Sequence, residues 1–209
     1  MNTVTQKNEL IFNYSGGTLG DAKSLMVSMY LHLNTLASNK SKIFDNLMAE
    51  ELFTLEEKAP VTLTYKDCIK NDTEIQDYKT KSLNPISKLV GRLENIKWKS
   101  VYKGFQEFNI PLKDKDKIKL IKMDPGTSVP LHSHNGKEYI LVIDGSFCDE
   151  YGEYRKGDLQ INDHKIKHHP SASEKNGCIC LSITESDVVF FGPFSPLLNL
   201  FTFIKSFFK

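Results

Sequence analysis

From Asn8 to about Leu55 the apolar residues recur with a helical period. Leu10, Ile11, Phe12 and Tyr14 open the run, and Ser15-Gly16-Gly17 ends it, as glycine after a periodic stretch usually does. A second segment starts near Asp21 and sets Ala22, Leu25, Met26, Met29, Leu33 and Leu36 on one stripe. A third follows Ser38, with Phe44, Leu47, Met48 and Leu52 on one face. Stripes rich in Leu and Met read as core. Three short amphipathic helices bury little surface by themselves, so they need one another, the rest of the chain or a partner.

Residues 56–83 mix charges without a period and read as a linker. Pro85 to Val90 can add one helical turn, after which the period becomes two. Trp98, Phe105, Phe108, Ile118, Leu120, Ile121, Val142, Ile143, Ile179 and Leu181 fall in short runs. Turn signals at Asp124-Pro125-Gly126, Asn135-Gly136, Asp144-Gly145 and Lys156-Gly157 punctuate them. Many short strands between turns predict an all-β sandwich or barrel. The reading is an α+β chain of two domains: helices over 1–55, a linker over 56–83 and a β domain over 84–209.

Composition narrows the partners. Lys and Arg number 27 against 26 Asp and Glu, a net charge of +1, so no basic footprint marks the chain as wrapping nucleic acid or coating an anionic membrane. Four cysteines include no Cys-x-x-Cys pair, and the first ten residues lack the layout of a secretory signal, which suggests a reduced, cytoplasmic protein. Near the C-terminus, VVFFGPFSPLLNLFTFI is apolar, but its 17 residues are broken by Gly192, Pro193 and Pro196. A spanning helix needs about 20. It reads as a last strand and a packed tail, with a homodimer contact as the alternative.

Five of the six histidines fall between positions 132 and 169. His132 and His134 are two apart, so on a strand both imidazoles project from one face. Glu138 follows the Asn135-Gly136 turn, from where a neighbouring strand can aim its carboxylate at the same point. Imidazole and carboxylate are ligands that Zn, Fe, Mn or Ni accept at about 2.0–2.2 Å. The fourth ligand is expected from His168, since His169 points away on a regular strand and His164 lies in a turn. Histidines that only hydrogen-bond within a barrel mouth are the alternative.

The spacing Gly126-x5-His132-x-His134-x3-Glu138-x6-Gly145 resembles the first motif of the cupin superfamily without a gap. The run PLHSHNGKEYILVIDGSFCDEYGEYRKGDLQI, followed by His168, Pro170 and Gly177-Cys178-Ile179-Cys180-Leu181, is similar to the cupin domain of the ChrR family of anti-sigma factors. VGRLENIKWKSV before it and ELIFNYSGGTLGDAKSLMVSMYLHL near the N-terminus resemble the same family. The resemblance implies a short helical anti-sigma-like domain followed by an all-β cupin, a double-stranded β-helix or jelly-roll barrel. It implies a divalent metal, zinc first with Fe, Mn and Ni as alternatives, on His132, His134, Glu138 and His168. It places the family's paired cysteines on Cys178 and Cys180, which face one side of a strand and could sense oxidation.

The likeness also fails at one place. Family members hold a second zinc in the helical half, and the corresponding positions here are Thr5, Tyr30, Asn34 and Ala37, which make no ligand set. A structural zinc supplies on the order of 10 kcal/mol of folding free energy to small domains. Without it the helices must pack on the cupin, fold with a partner, or have left the family role.

What the resemblance implies is an anti-sigma regulator: the helices of residues 8–55 bind an extracytoplasmic-function sigma factor, and the cupin receives an oxidative-stress signal. Direct nucleic-acid or membrane contact is not required. Two rivals stand beside it. One is a metal-dependent cupin enzyme, a dioxygenase or isomerase with Tyr139, Tyr151 and Tyr154 near its pocket. The other is a cupin that binds a small ligand without chemistry.

Overall fold

The computed structural model describes residues 3–56, 85–193, 195–197 and 199. The linker read at 56–83, beyond Glu56, and Cys68 lie outside the described residues, as does the C-terminal tail from 200 onward. Helix α1 spans Thr3–Ser15, α2 Asp21–Leu33 and α3 Thr35–Glu56. A short helix α4 follows at Pro85–Val90. Ten strands succeed it: β1 Lys99–Tyr102, β2 Phe105–Asn109, β3 Lys117–Met123, β4 His132–His134, β5 Glu138–Asp149, β6 Gly152–Arg155, β7 Leu159–Asn162, β8 Ser171–Ala172, β9 Cys178–Thr184 and β10 Val188–Phe190.

The third helix begins earlier than Ser38. Asn34 ends α2, and its Oδ1 accepts a hydrogen bond from the Ala37 backbone N–H at 3.0 Å, so one asparagine closes α2 and caps α3. Leu36 therefore belongs to α3 and not to the stripe of α2. That helix is only thinly covered: Leu36 is 76% exposed, Ile43 59% and Leu47 49%. The expectation that the apolar face of the third helix is core holds for Phe44, which meets Phe12 of α1 edge to face at 5.6 Å, but not for Leu47.

Strands β1-β2-β3-β9-β5-β6 form one antiparallel sheet, with β7 and β8 also paired to β5, while β4 pairs with β10 in a second, two-stranded sheet. Asp144-Gly145 is not a turn. β5 runs through it for 12 residues, and the pairing with β9 slips by one between Val142 and Asp144. Gly145 sits at φ +71°, and a Cβ there would lie 2.2 Å from the carbonyl oxygen of Gly177, so the glycine makes a bulge where two strands approach closely.

The large sheet is covered on both faces. On β5, β7 and β9 the residues Tyr139, Leu141, Leu159, Ile161, Leu181 and Ile183 face outward into a core shared with Ile11 of α1 and Met26, Val27 and Met29 of α2. Alternate residues on the same strands, among them Glu138, Ile140, Gln160, Asn162, Cys180 and Ser182, face the barrel interior. This explains why β5 begins with six consecutive buried residues instead of an in-out alternation. The helices pack on the barrel, the first of the three ways in which they can do without a metal.

Polar contacts hold the same boundary. Gly20 gives α2 no capping side chain, and Asp114 from the barrel accepts the Ala22 N–H at 2.9 Å in its place. That bond and a second from the Asp116 N–H hold the Asp114 carboxyl below its usual range. Lys23 of α2 pairs with Asp116 at 3.1 Å and Glu185 at 2.6 Å. Asn34 donates through Nδ2 to the Gly157 carbonyl at 3.1 Å. Tyr30 and Ala37, two of the four positions that the resemblance sets against a second zinc, are buried in the shared core, and Thr5 is exposed.

Candidate metal centre

His132, His134, Glu138 and His168 come together as expected. One ligand atom from each can be chosen so that all four lie within 4.8 Å of one another, and all four residues are buried. Among the described residues this is the one group of three or more His, Cys, Asp or Glu with such geometry. The two sheets supply it jointly. β4, with His132 and His134, pairs with β10, whereas Glu138 opens β5 in the large sheet, so the Asn135-Gly136 bend carries the chain between sheets and β4 and β5 are not partners. His168 lies in no regular strand; its backbone bridges His132 through reciprocal N–H···O bonds of 3.0 Å. His169 is exposed and His164 lies in a turn, as expected.

Hydrogen bonds aim the rings. The His132 Nδ1–H donates to the Pro130 carbonyl at 2.9 Å, which turns Nε2 toward His168 Nε2, 3.1 Å away. The His168 Nδ1–H donates to Asp149 Oδ2 at 3.1 Å, and Nε2 faces Glu138 Oε2 at 3.3 Å. His134 Nε2 lies 3.2 Å from Glu138 Oε1, yet neither ring nitrogen makes a hydrogen bond. Burial pushes the His132 imidazole down to about 4, against the attraction of Glu138. Burial also pushes His168 down, but its bonds to Asp149 and Glu138 outweigh that and hold it up at about 9. Glu138 stays well below the usual carboxylate range because the His134 and His168 imidazoles that face its carboxylate outweigh its burial.

These residues fit a metal ion. Three imidazole nitrogens and one carboxylate oxygen form a borderline-soft donor set suited to zinc, iron or manganese. The unpaired buried nitrogens of His134 are the clearest sign. A buried polar atom without a partner costs about 1–3 kcal/mol, and a metal on Nε2 would supply the missing interaction. When bound, a divalent metal acts as a Lewis acid or as a structural tie between the two sheets. The surrounding residues do the orienting: Pro130, Asp149 and Asn162, whose Nδ2–H donates to Glu138 Oε2 at 3.3 Å, set His132, His168 and Glu138 in place.

Asp149 was not singled out from the sequence. Its side chain is fully buried and has no Lys or Arg beside it among the described residues. It accepts from His168, from Gln160 Nε2 at 2.7 Å and from the Tyr151 N–H at 2.9 Å. The signal that could have found it is phase: Asp149, Gln160 and Asn162 are polar residues at inward positions of strands whose outward neighbours are apolar. Cys178 and Cys180 also face inward, with their sulfurs 3.2 Å apart and both buried. Their mutual contact and burial push the Cys180 thiol well up.

His132, His134 and Glu138 line a cavity of about 830 Å³ in the barrel, while His168 lies behind them. Tyr139 faces the helices instead of this cavity, and Tyr151 is 54% exposed. Among the described residues no helix is long and apolar enough to cross a membrane.

Comparisons with known proteins agree with this architecture. The family profile described as ChrR Cupin-like domain matches residues 87–186. The anti-sigma-E factor ChrR of Cereibacter sphaeroides is 29% identical over 192 residues, covering 87% of this chain and 89% of that protein. The crystal structure of Rhodobacter sphaeroides SigE in complex with the anti-sigma ChrR superposes with a TM-score of 0.69 at 30% identity, covering 85% of this chain and 96% of the matched one. Both matches extend through the helices as well as the barrel.

Proposed function

We propose that this chain, which belongs to the ChrR family of anti-sigma factors, binds an extracytoplasmic-function sigma factor through its N-terminal helices and keeps it from RNA polymerase. One observation carries the reading beyond kinship. Leu36, Ile43 and Leu47 recur at seven and four residues along α3, which puts them within one narrow stripe, and all three are exposed. Three large aliphatic side chains aligned on one helix and turned away from the core suit a partner's apolar groove. The near-neutral charge agrees with a protein partner in place of nucleic acid. Such a partner works beside RNA polymerase, so we place the protein in the cytoplasm.

Within the barrel, His132, His134, Glu138 and His168 hold the divalent metal, with zinc the best match to three imidazoles and one carboxylate. The buried contact of Cys178 with Cys180 and the raised thiol of Cys180 support packing over redox sensing, because the thiolate is the reactive form.

The test is co-purification. Tagged full-length protein is co-expressed with each extracytoplasmic-function sigma factor of its source organism, in wild-type form and as Leu36→Asp/Ile43→Asp. A one-to-one complex with one sigma factor that the double substitution abolishes, with the melting temperature unchanged, is expected. Failure of the wild type to retain any of them overturns the reading. His132→Ala and Glu138→Ala should each lower metal content measured by elemental analysis; full stoichiometry in both overturns the ligand assignment.

A further inference from the structure

The barrel interior contains a feature that neither the metal nor the sigma factor accounts for. Ser182 on β9 is 1% exposed, faces inward, lines the cavity and has no hydrogen-bond partner for its hydroxyl. A buried hydroxyl left unpaired is unfavourable, and here the open volume beside it lies inside the protein. Lys119 stands directly opposite on β3, as the Cα partner of Ser182, and lines the same cavity. Opposed residues of an antiparallel pair on one face have Cβ atoms about 4.5–5.5 Å apart, close enough for both to reach a single small group.

Lys119 is 30% exposed at its side chain and makes one ion pair, a long one of 3.4 Å to Glu107 Oε2. An ammonium has three donors, so its capacity is not used up. Lys99 and Lys117 line the cavity as well, so with Lys119 three ammonium groups stand among the acids Glu107, Glu138 and Asp187. Away from this band the lining turns apolar, with Phe105, Ile121, Met123, Ile140 and Phe147. At about 830 Å³ the cavity lies within the range of small-molecule sites, roughly 300–1,000 Å³.

We propose that the cavity binds an apolar monocarboxylate whose carboxylate is held by the Ser182 hydroxyl and the Lys119 ammonium and whose chain lies on Phe105, Ile121 and Ile140. The carboxylate accepts from both groups, which pairs the otherwise unpartnered hydroxyl and gives the Lys119 ammonium a second anion beside Glu107. A neutral molecule of the same shape fills the apolar region but leaves those donors unsatisfied. The proposal goes beyond the anti-sigma reading and needs no sigma factor.

The probe is decanoate, titrated calorimetrically into the full-length, metal-loaded protein, with 1-decanol as the neutral match and metal content measured on each sample. Saturable binding of decanoate is expected, with 1-decanol about tenfold weaker, since a hydrogen bond to a charged group contributes about 1.5–3 kcal/mol. Lys119→Met and Ser182→Ala should each weaken decanoate about tenfold and leave 1-decanol unchanged. Ser182→Ala removes a hydroxyl that pairs with nothing in the protein, so it should not unfold the barrel. Ile121→Trp fills the apolar end and should weaken both probes. The proposal is overturned if decanoate does not saturate on protein with full metal content, or if both probes respond alike to Lys119→Met and Ser182→Ala. Because the anti-sigma reading is tested by co-purification without either probe, each can fail while the other stands.

Discussion

Removing residues 1–84 should leave a barrel that does not persist as a soluble monomer. The deletion keeps α4 and all ten strands but strips α1 and α2 from the outer face of the large sheet. Six large side chains lose that cover: Tyr139 and Leu141 on β5, Leu159 and Ile161 on β7, and Leu181 and Ile183 on β9. Fully burying one such side chain is worth about 1.5–3 kcal/mol, so even the low figure removes on the order of 9 kcal/mol. Net stabilities of single domains are about 5–15 kcal/mol. The Asp114 cap on α2 and the Lys23 pairs with Asp116 and Glu185 disappear as well. The truncated chain should bind 8-anilinonaphthalene sulfonate strongly, elute as an aggregate on size exclusion, and show no cooperative melt. If it elutes as a monomer and melts at the temperature of the full-length protein, the outer face is not the core that holds the halves together, and the two fold independently.

Asp149→Asn should weaken metal binding about 10–100-fold in competition with a chromophoric chelator, because it removes the charge that orients His168; equal affinity would free Asp149 of that role. Gly157→Val should destabilise the protein by about 1–3 kcal/mol in urea, since the residue sits at φ +88° and a Cβ there lies 2.9 Å from the Leu33 carbonyl oxygen; an unchanged midpoint would deny this close approach. Lys23→Met should cost about 1–3 kcal/mol at pH 7 by leaving Asp116, which is nearly buried, without its ammonium. Burial raises the Glu185 carboxyl, but its bonds to Lys23 and the Lys137 N–H hold it below the usual carboxylate value. A carboxylate depressed in the folded state adds stability above its unfolded pKa and loses it as the pH falls through the folded one. The gap between wild type and Lys23→Met should therefore narrow below about pH 4; a constant gap down to pH 3 would show that the Lys23–Glu185 pair does not contribute.

Spacing brought out the candidate metal site because His132 and His134 on one strand obey a period of two, and histidine and glutamate are rarely buried without a reason. The helical half was legible as helices for a similar reason, but not as to which face is covered. An apolar stripe on a helix looks the same whether it meets the protein's own core or a partner, so Leu36 and Leu47 were read as packed when they are exposed. Asp144-Gly145 was misleading because a glycine with positive φ serves a bulge as well as a turn, and the choice depends on Gly177 from a distant strand. Asp149 escaped for a related reason. Its importance comes from facing inward eleven residues past Glu138, beyond a bulge that shifts the phase of the strand.

The absence of a ligand set at Thr5, Tyr30, Asn34 and Ala37 becomes intelligible once β5 is seen as belonging to both halves. Glu138 points inward to the candidate metal centre, and the next residue, Tyr139, points outward, with Lys23 of α2 over its ring at 5.3 Å and its hydroxyl 3.4 Å from Glu185. On β7 the same alternation sends Asn162 inward to Glu138 and Leu159 and Ile161 outward to the helical core. A free helical unit of this size buries little of its surface and is marginal by itself. Here Tyr30 and Ala37 fill positions where the family places zinc ligands and are buried in the core shared with the sheet, while Asn34 caps α3 and bonds to the barrel through Gly157. The docking surface thus supplies the helices with stabilising contacts that need no metal. It also joins the helices to the candidate metal centre through single peptide units, so that the backbone carrying Glu138 cannot shift without carrying the residue against which α2 is packed.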